Sequence, residues 1–283
     1  MSHDEAARIA FWIEYMDRSY ALAEAIMRYP LAETSESFAS IPDAMQAAGV
    51  DVRFSTTKIG GQFERIFQIR ASLIPDLVAI ARDMNARGWI LKIEDGYRTA
   101  AMQTALGRAP AVFDRIIKSC IRECGGARPP VDLVFRRAMC LVANVPATGT
   151  HLCGAAVDIS VYRRDDGSEV WRGKPYLEMS EYTPMDSPFV SAEERANRAA
   201  ITGVMERHGF MHYEGEFWHY NKGDSLYQIE TNSGLPGRYG PAHWDPATNA
   251  VTPFADRFAM LTPFDTLEPL IEEAMSRLAV QRS

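Results

Sequence analysis

The chain has 283 residues, 47% hydrophobic and 24% charged, with a formal net charge of −7. That is ordinary globular composition, long enough to bury a full core as one large domain or two small ones. The negative balance and the lack of a long Lys/Arg run argue against a nucleic-acid or anionic-membrane surface, and no apolar stretch is long enough to span a bilayer. Met1-Ser2-His3-Asp4-Glu5 lacks the basic start and apolar core of an export signal. Cys120, Cys124, Cys140 and Cys153 are therefore expected as reduced thiols, with Cys120 and Cys124 as small buried hydrophobes, and the expected location is cytoplasmic.

Ala7, Ile9, Phe11, Ile13 and Met16, followed by Leu22, Ala25 and Ile26, predict a helix over about 5–28, ended by Pro30. A short helix is expected through Met45, and a strand or extended segment over Phe63–Phe67. Leu73, Ile74, Leu77, Ile80, Ala81 and Met84 recur at helical spacing, and Gly88 stands where that helix should stop. Trp89–Glu94 reads as a strand closed by the turn pair Asp95-Gly96, and Thr99–Leu106 as a helix. Arg98 thus stands at a strand-to-helix junction, where side chains commonly project into a cleft.

Two further helices are expected over Val112–Glu123 and Val131–Val142, divided by Gly125-Gly126 and Pro129-Pro130. Pro146, Thr148 and Gly149 form a loop that delivers His151. From Ala156 the chain alternates. Val157, Ile159 and Val161 should face a core, with Asp158, Ser160 and Tyr162 on the other side. Residues 175–190 lack periodicity and read as a loop; Ser191 with Glu194 makes a capping box for a helix running to His208. Phe210–Tyr213 and Glu216–Tyr220 look like one hairpin turning at Glu214-Gly215, and a helix over about 267–280 closes the chain.

An aspartate inside the strand at 158 is expensive to bury unless something compensates its charge. His151, Asp158 and His219 supply two imidazoles and a carboxylate, and Glu216 is a spare carboxylate. That is the inventory of a zinc hydrolase: three protein ligands, an open position for water, and a proton acceptor beside it. Both pairs, His151/Asp158 and Glu216/His219, have opposite parity on a regular strand. A bend at Gly154, and a twist, bulge or strand end between Glu216 and His219, would bring them together. In that constellation Glu216 moves the proton from water to the leaving amine and Arg98 stabilises the oxyanion. His212, His208 and His243 are rival ligands, and Cys153 a further one whose use would cost the water site.

The pattern His151-x-x-Gly154-x-Ala156-x-Asp158, with Glu216-x-x-His219 in an aromatic setting and Asp95-Gly96-Tyr97-Arg98 upstream, resembles the D-alanyl-D-alanine dipeptidases. These are zinc peptidases of the VanX type, related to D,D-carboxypeptidases. The likeness covers roughly residues 60–232. It implies an α+β fold with a central, largely antiparallel sheet and packed helices. It implies Zn2+ on His151, Asp158 and His219, Glu216 as base, Arg98 as the transition-state arginine, and a D-amino-acid dipeptide such as D-Ala-D-Ala as substrate. One domain is expected over 1–283, with a zinc-peptidase core over 60–232, a helical segment over 1–59 and an extension over 233–283.

Two positions depart from the pattern. Gly149 stands where the family usually has serine, and the loop over 178–189 aligns poorly where the dipeptidases carry an acidic residue for the substrate's amino group. Glu178 and Asp186 are the candidates there, and Gly149, Tyr97, Asp186 and Trp218 are candidate substrate contacts. Two alternatives follow: a metallo-amidase or peptidase whose substrate has a blocked amino end, and a zinc-binding module without catalysis. Keeping Glu216 and Arg98 speaks against the second, since binding zinc needs neither.

Overall fold

The computed structural model describes residues 3–280. The chain opens with α1 (His3–Arg28), whose acidic first turn and basic last turn complement the helix dipole. Short pieces follow: β1 (Phe38–Ser40), α2 (Ile41–Ala47), β2 (Val52–Phe54) and β3 (Gln68–Arg70). Next come α3 (Ile74–Ala86), β4 (Trp89–Asp95), α4 (Ala100–Arg108), α5 (Pro110–Glu123) and α6 (Val131–Val142). The second half holds β5 (Ala156–Arg163), α7 (Ala192–Arg207), β6 (Met211–Tyr213), β7 (Glu216–Asn221) and α8 (Ser225–Glu230). A hairpin of β8 (Ala242–Asp245) and β9 (Ala250–Pro253) precedes α9 (Phe264–Val280).

The main sheet has the order β2-β4-β5-β7-β6, with β2 and β4 parallel and every other pair antiparallel. The α+β class with a largely antiparallel sheet is therefore observed. Val157, Ile159 and Val161 of β5 join Leu91 and Ile93 of β4 in a core completed by Leu77, Ile80 and Met84 of α3 and Ile201, Val204 and Met205 of α7. The expected alternation holds, so Asp158 emerges on the opposite face. On that side a second core joins α4, α5, α6 and α9 through Phe113, Ile116, Val134, Ala138, Leu267 and Ile271.

α1 docks on this second layer by apolar and polar contacts together. Trp12, Tyr15 and Met16 are buried against Cys140 and Leu141. Arg137, itself 2% exposed, pairs with Glu123 at 2.6 Å and with Asp17 of α1 at 2.9 Å, and Trp12 donates to Glu123 at 3.1 Å. Near the start of α1, Arg8 pairs with Glu181 at 3.3 Å, and Arg122 of α5 reaches the same carboxylate at 3.0 Å. The loop carrying Glu181 has no regular structure, as expected. Its backbone is held by Arg198 of α7, which donates to the carbonyls of Tyr182 and Pro184 at 2.7 and 2.5 Å.

The capping box at Ser191 and Glu194 is formed, and Val131–Val142 is helical over the expected span. The extended segment expected over Phe63–Phe67 makes only isolated bridges, Ile59 with Phe63 and Ile66 with Tyr97, and the strand begins one residue later at Gln68. Outside the sequence reading lay β2, α8 and the β8–β9 hairpin, each six residues or fewer and too short to display a period.

Glu230, at the end of α8, carries an electrostatic cost. Both its carboxylate oxygens are buried without a hydrogen-bond partner. Burial first, and then the charges of Asp224, Glu214 and Glu206, push its carboxyl up to about 9. The folded chain therefore keeps a proton that the unfolded chain loses near pH 4.5, so stability falls as pH rises from about 4.5 to about 9. Glu230→Gln should raise the melting temperature at pH 8 and have a much smaller effect at pH 5. Thermal melts of both proteins at the two pH values check this; an equal effect at both would contradict it.

Candidate metal centre and active site

Asp158 is the third residue of β5, and His219 lies directly opposite it on β7. His151 comes from a short 3-10 turn, Thr150–Cys153, that closes at Gly154 with φ +64°. An added Cβ at Gly154 would also lie 2.4 Å from the ring of Phe38, so both conformation and space require glycine. That turn lets the imidazole fold back over the sheet. The ligand atoms of His151, Asp158 and His219 lie within 4.8 Å of one another, and all three residues are buried.

The hydrogen bonds fix the chemistry of this set. His151 Nδ1 sits 2.7 Å from the carbonyl oxygen of Gly96, which can only accept, so Nδ1 carries the proton. In the neutral ring Nε2 is then a bare lone pair, and it faces Asp158 Oδ1 at 3.1 Å. His219 Nδ1 faces the same oxygen at 2.9 Å, while its Nε2 lies 2.8 Å from Thr150 Oγ1. With Nε2 donating to the Thr150 hydroxyl, His219 Nδ1 is a second lone pair beside His151 Nε2 and Asp158 Oδ1, and a cation between the three would satisfy them all. A divalent metal satisfies that demand, with Gly96 and Thr150 orienting the two imidazoles from behind.

Asp158 divides its two oxygens between tasks. Oδ2 accepts from Arg98 Nη2 at 3.1 Å and from the Tyr176 hydroxyl at 2.8 Å, leaving Oδ1 to the histidines. Burial works to raise the Asp158 carboxyl, but positive charge and donated protons on the His151 and His219 side outweigh it and hold it well below the usual carboxylate range, the same demand a metal cation would meet. Burial and the nearby Asp158 charge push the Tyr176 phenol up, so it stays a donor. Arg98 also donates through Nε to Asp95 at 2.6 Å and through Nη1 to Gln103 at 3.2 Å. Three of its five N–H groups are so engaged, which leaves two.

Glu216 reaches the site through an irregularity in the sheet. His212 pairs with Tyr220, yet the next residue, Tyr213, pairs with Glu216. Residues 217–219 therefore bulge out of the β6–β7 ladder, and the bulge removes the parity conflict between Glu216 and His219. Glu216 Oε2 stands 3.9 Å from His219 Nδ1. Burial, with Asp158 adding to it, raises the Glu216 carboxyl to about 7, within reach of a proton acceptor working near neutrality.

These groups open on one cavity. Arg98, Gly149, His151, Asp158, Glu216, Trp218 and His219 all line it. Tyr97 and Asp186 do not, and for these two the structure corrects the sequence reading. Tyr97 precedes Arg98 on extended chain and so points the other way, into a cluster with Phe38 and Trp244, its hydroxyl donating to Ala242 at 2.8 Å. The Asp186 side chain is 65% exposed, 3.8 Å from Arg18 on α1. Glu178 lies in a separate cleft with Arg115 and Arg122.

The rival ligands are likewise placed elsewhere. The Cys153 thiol donates to Gly149 at 3.4 Å within the core, His212 pairs with Glu206 and His208 with Asp83, and His243 stacks on Phe254. Sequence reasoning did not find Thr150, Gln103 or Tyr176. Thr150 adjoins His151, where a hydroxyl that orients a ligand ring can be sought, but nothing marks Tyr176 within an aperiodic loop.

Gly149 has an ordinary backbone conformation, φ −93°, so its reason is space. An added Cβ would lie 2.8 Å from Cδ1 of Leu152, a fully buried side chain. Gly149→Ala should therefore destabilise the protein by about 1 kcal/mol, as overpacking does, read as a melting temperature several degrees lower. An unchanged melting temperature would contradict the packing argument.

Comparison with known proteins gives sequence relatives for this part of the chain. The Peptidase M15 family, described as D-ala-D-ala dipeptidase, matches residues 129–233. That span holds His151, Asp158, Glu216 and His219 but not Arg98. The D-alanyl-D-alanine dipeptidase of Enterococcus faecium is 33% identical over 99 residues, 35% of this chain and 48% of that protein. The one from Enterococcus faecalis is 27% identical over 143 residues, 50% of this chain and 66% of that protein. The chain thus spans about half the length of the first relative and just under two thirds of the second. Among solved structures, a zinc-bound vancomycin-resistance D,D-pentapeptidase VanY mutant aligns at 18% identity, covering 61% of this chain and 85% of that one, with a TM-score of 0.34. The LD-carboxypeptidase LdcB aligns at 20%, covering 74% and 79%, with a TM-score of 0.37. Over this segment the chain is similar to D-alanyl-D-alanine dipeptidases.

Proposed function

We propose that this chain is a zinc-dependent hydrolase of a small D-amino-acid amide of the D-Ala-D-Ala type. The observation that carries the reading is the buried set of His151 Nε2, Asp158 Oδ1 and His219 Nδ1, turned toward one point beside Glu216. Relatives that share this segment are D-alanyl-D-alanine dipeptidases, which supports the substrate class.

Zinc held by these three residues would act as a Lewis acid and make water nucleophilic near neutral pH. The chain's own groups do the rest. Glu216 accepts a proton from the attacking water as the new C–O bond forms, and delivers it to the leaving nitrogen as the C–N bond breaks. The two unengaged N–H groups of Arg98 offer hydrogen bonds to the negative charge that develops on the carbonyl oxygen. Asp95 and Gln103 hold the guanidinium in place for that role. The largely buried setting strengthens each of these interactions relative to water. A module that only bound zinc would have no use for a carboxylate in the position of Glu216.

Hydrolysis of D-Ala-D-Ala and its N-acylated forms by the zinc-loaded protein, beside Glu216→Ala, tests the reading. Turnover of at least one substrate should fall by a factor of 100 or more in the variant, within the usual range for a lost general base, with zinc still bound. No turnover of any, at one zinc per chain, would contradict it. Thr150→Val, which removes the partner of His219 Nε2, should weaken zinc about 10–100-fold without unfolding the chain, measured by competition with a chelating dye. Unchanged zinc affinity would show that Thr150 does not orient the ring.

A further inference from the structure

Beyond the metal ligands the cavity is walled mainly by apolar side chains, and α1, which lies outside residues 129–233, supplies part of that wall. α1 contributes Leu22, Ala23 and Ile26, and α6 contributes Met139 and Val142. From the irregular loop comes Leu177, whose backbone adopts φ +65°. That left-handed conformation is disfavoured for leucine, yet it is held here by Arg115, which donates to the Leu177 carbonyl at 2.7 Å. Strain kept at a cavity wall is a feature of sites where the side chain's position matters.

The charges lining the cavity point the same way. Asp158 and Glu216 are the carboxylates among its described lining residues. Asp158 is committed to the histidines, Arg98 and Tyr176. A free dipeptide would bring an α-ammonium with it. Buried without a partner, that cation is costly; paired with Glu216, it would occupy the carboxylate that must take the proton. Glu178 and Asp186, the acidic residues of the neighbouring loop, face other surfaces.

We infer that the substrate enters with its amino side uncharged and apolar: an amide of a D-amino acid whose nitrogen bears a short aliphatic acyl group, seated against α1, α6 and Leu177. This rests on the hydrolase reading above and names its substrate class. The acyl chain replaces water along the wall, and Glu216 stays free for proton transfer. α1 is then a specificity element.

The test compares kcat/KM of the zinc-loaded full chain for N-butanoyl-D-Ala-D-Ala, N-succinyl-D-Ala-D-Ala and free D-Ala-D-Ala. The butanoyl substrate should exceed each of the others at least tenfold. Leu22→Asp, which places a carboxylate on the apolar wall, should raise turnover of the free dipeptide and shrink its deficit by tenfold or more, with zinc stoichiometry unchanged. Should that variant fail to fold, Leu177→Gly relieves the backbone and removes part of the wall; its KM for the butanoyl substrate should rise several-fold with kcat little altered. Equal rates on all three substrates, or preference for the free dipeptide, would overturn this inference and leave the hydrolase reading standing. Cleavage of none, with zinc bound, would overturn both.

Discussion

A carboxylate buried in the middle of a sheet is the constraint around which this molecule is arranged. Asp158 is 1% exposed on β5, between strands whose other faces are packed with Val, Ile and Leu. An isolated charge there would cost far more than a domain's net stability. The fold meets the demand asymmetrically, with Arg98 and Tyr176 on one oxygen and two imidazoles on the other. On the side facing the imidazoles, Asp158 Oδ1 and two ring nitrogens crowd one point and need positive charge among them, from protons or a metal. Satisfying the charge structurally and leaving it short of a cation are therefore the same arrangement, which is why the cluster reads as a metal centre.

Several groups around Asp158 are aimed by departures from regular structure. The turn at Gly154 brings His151 back over the strand, the slip between His212 and Tyr213 lets Glu216 and His219 share a side, and a bulge between Ile93 and Asp95 places Asp95 against Arg98. Bulges near active sites re-aim side chains in this way. The regular parts of the sheet supply stiffness through α3 and α7, and the irregular parts supply direction. On the far side the ion pairs from Arg137 and Arg122, with α1 laid across α5 and α6, close the cavity from above.

Much of this was legible in the sequence because it rests on local signals. The alternation of Val157, Ile159 and Val161 fixed which face Asp158 takes, and Ser191 with Glu194 marked the start of α7. The spacing His151/Asp158 and Glu216/His219 named the polar cluster, and the parity conflict it raised foretold a bend and a bulge. Tyr97 was misjudged because its neighbour Arg98 lines the cavity, and adjacent residues on extended chain face opposite ways. Asp186 was chosen by charge alone, and nothing local records that its loop turns it toward Arg18. Tyr176 and the α1 wall were invisible for a similar reason: they reach the site through tertiary contacts across more than a hundred residues or through an aperiodic loop.

The most direct test of the account is calorimetric titration of the metal-free protein with zinc, with Asp158→Asn alongside. The account predicts one zinc per chain with high affinity, and affinity lowered at least 100-fold in the variant. Failure of the intact protein to bind zinc would contradict it.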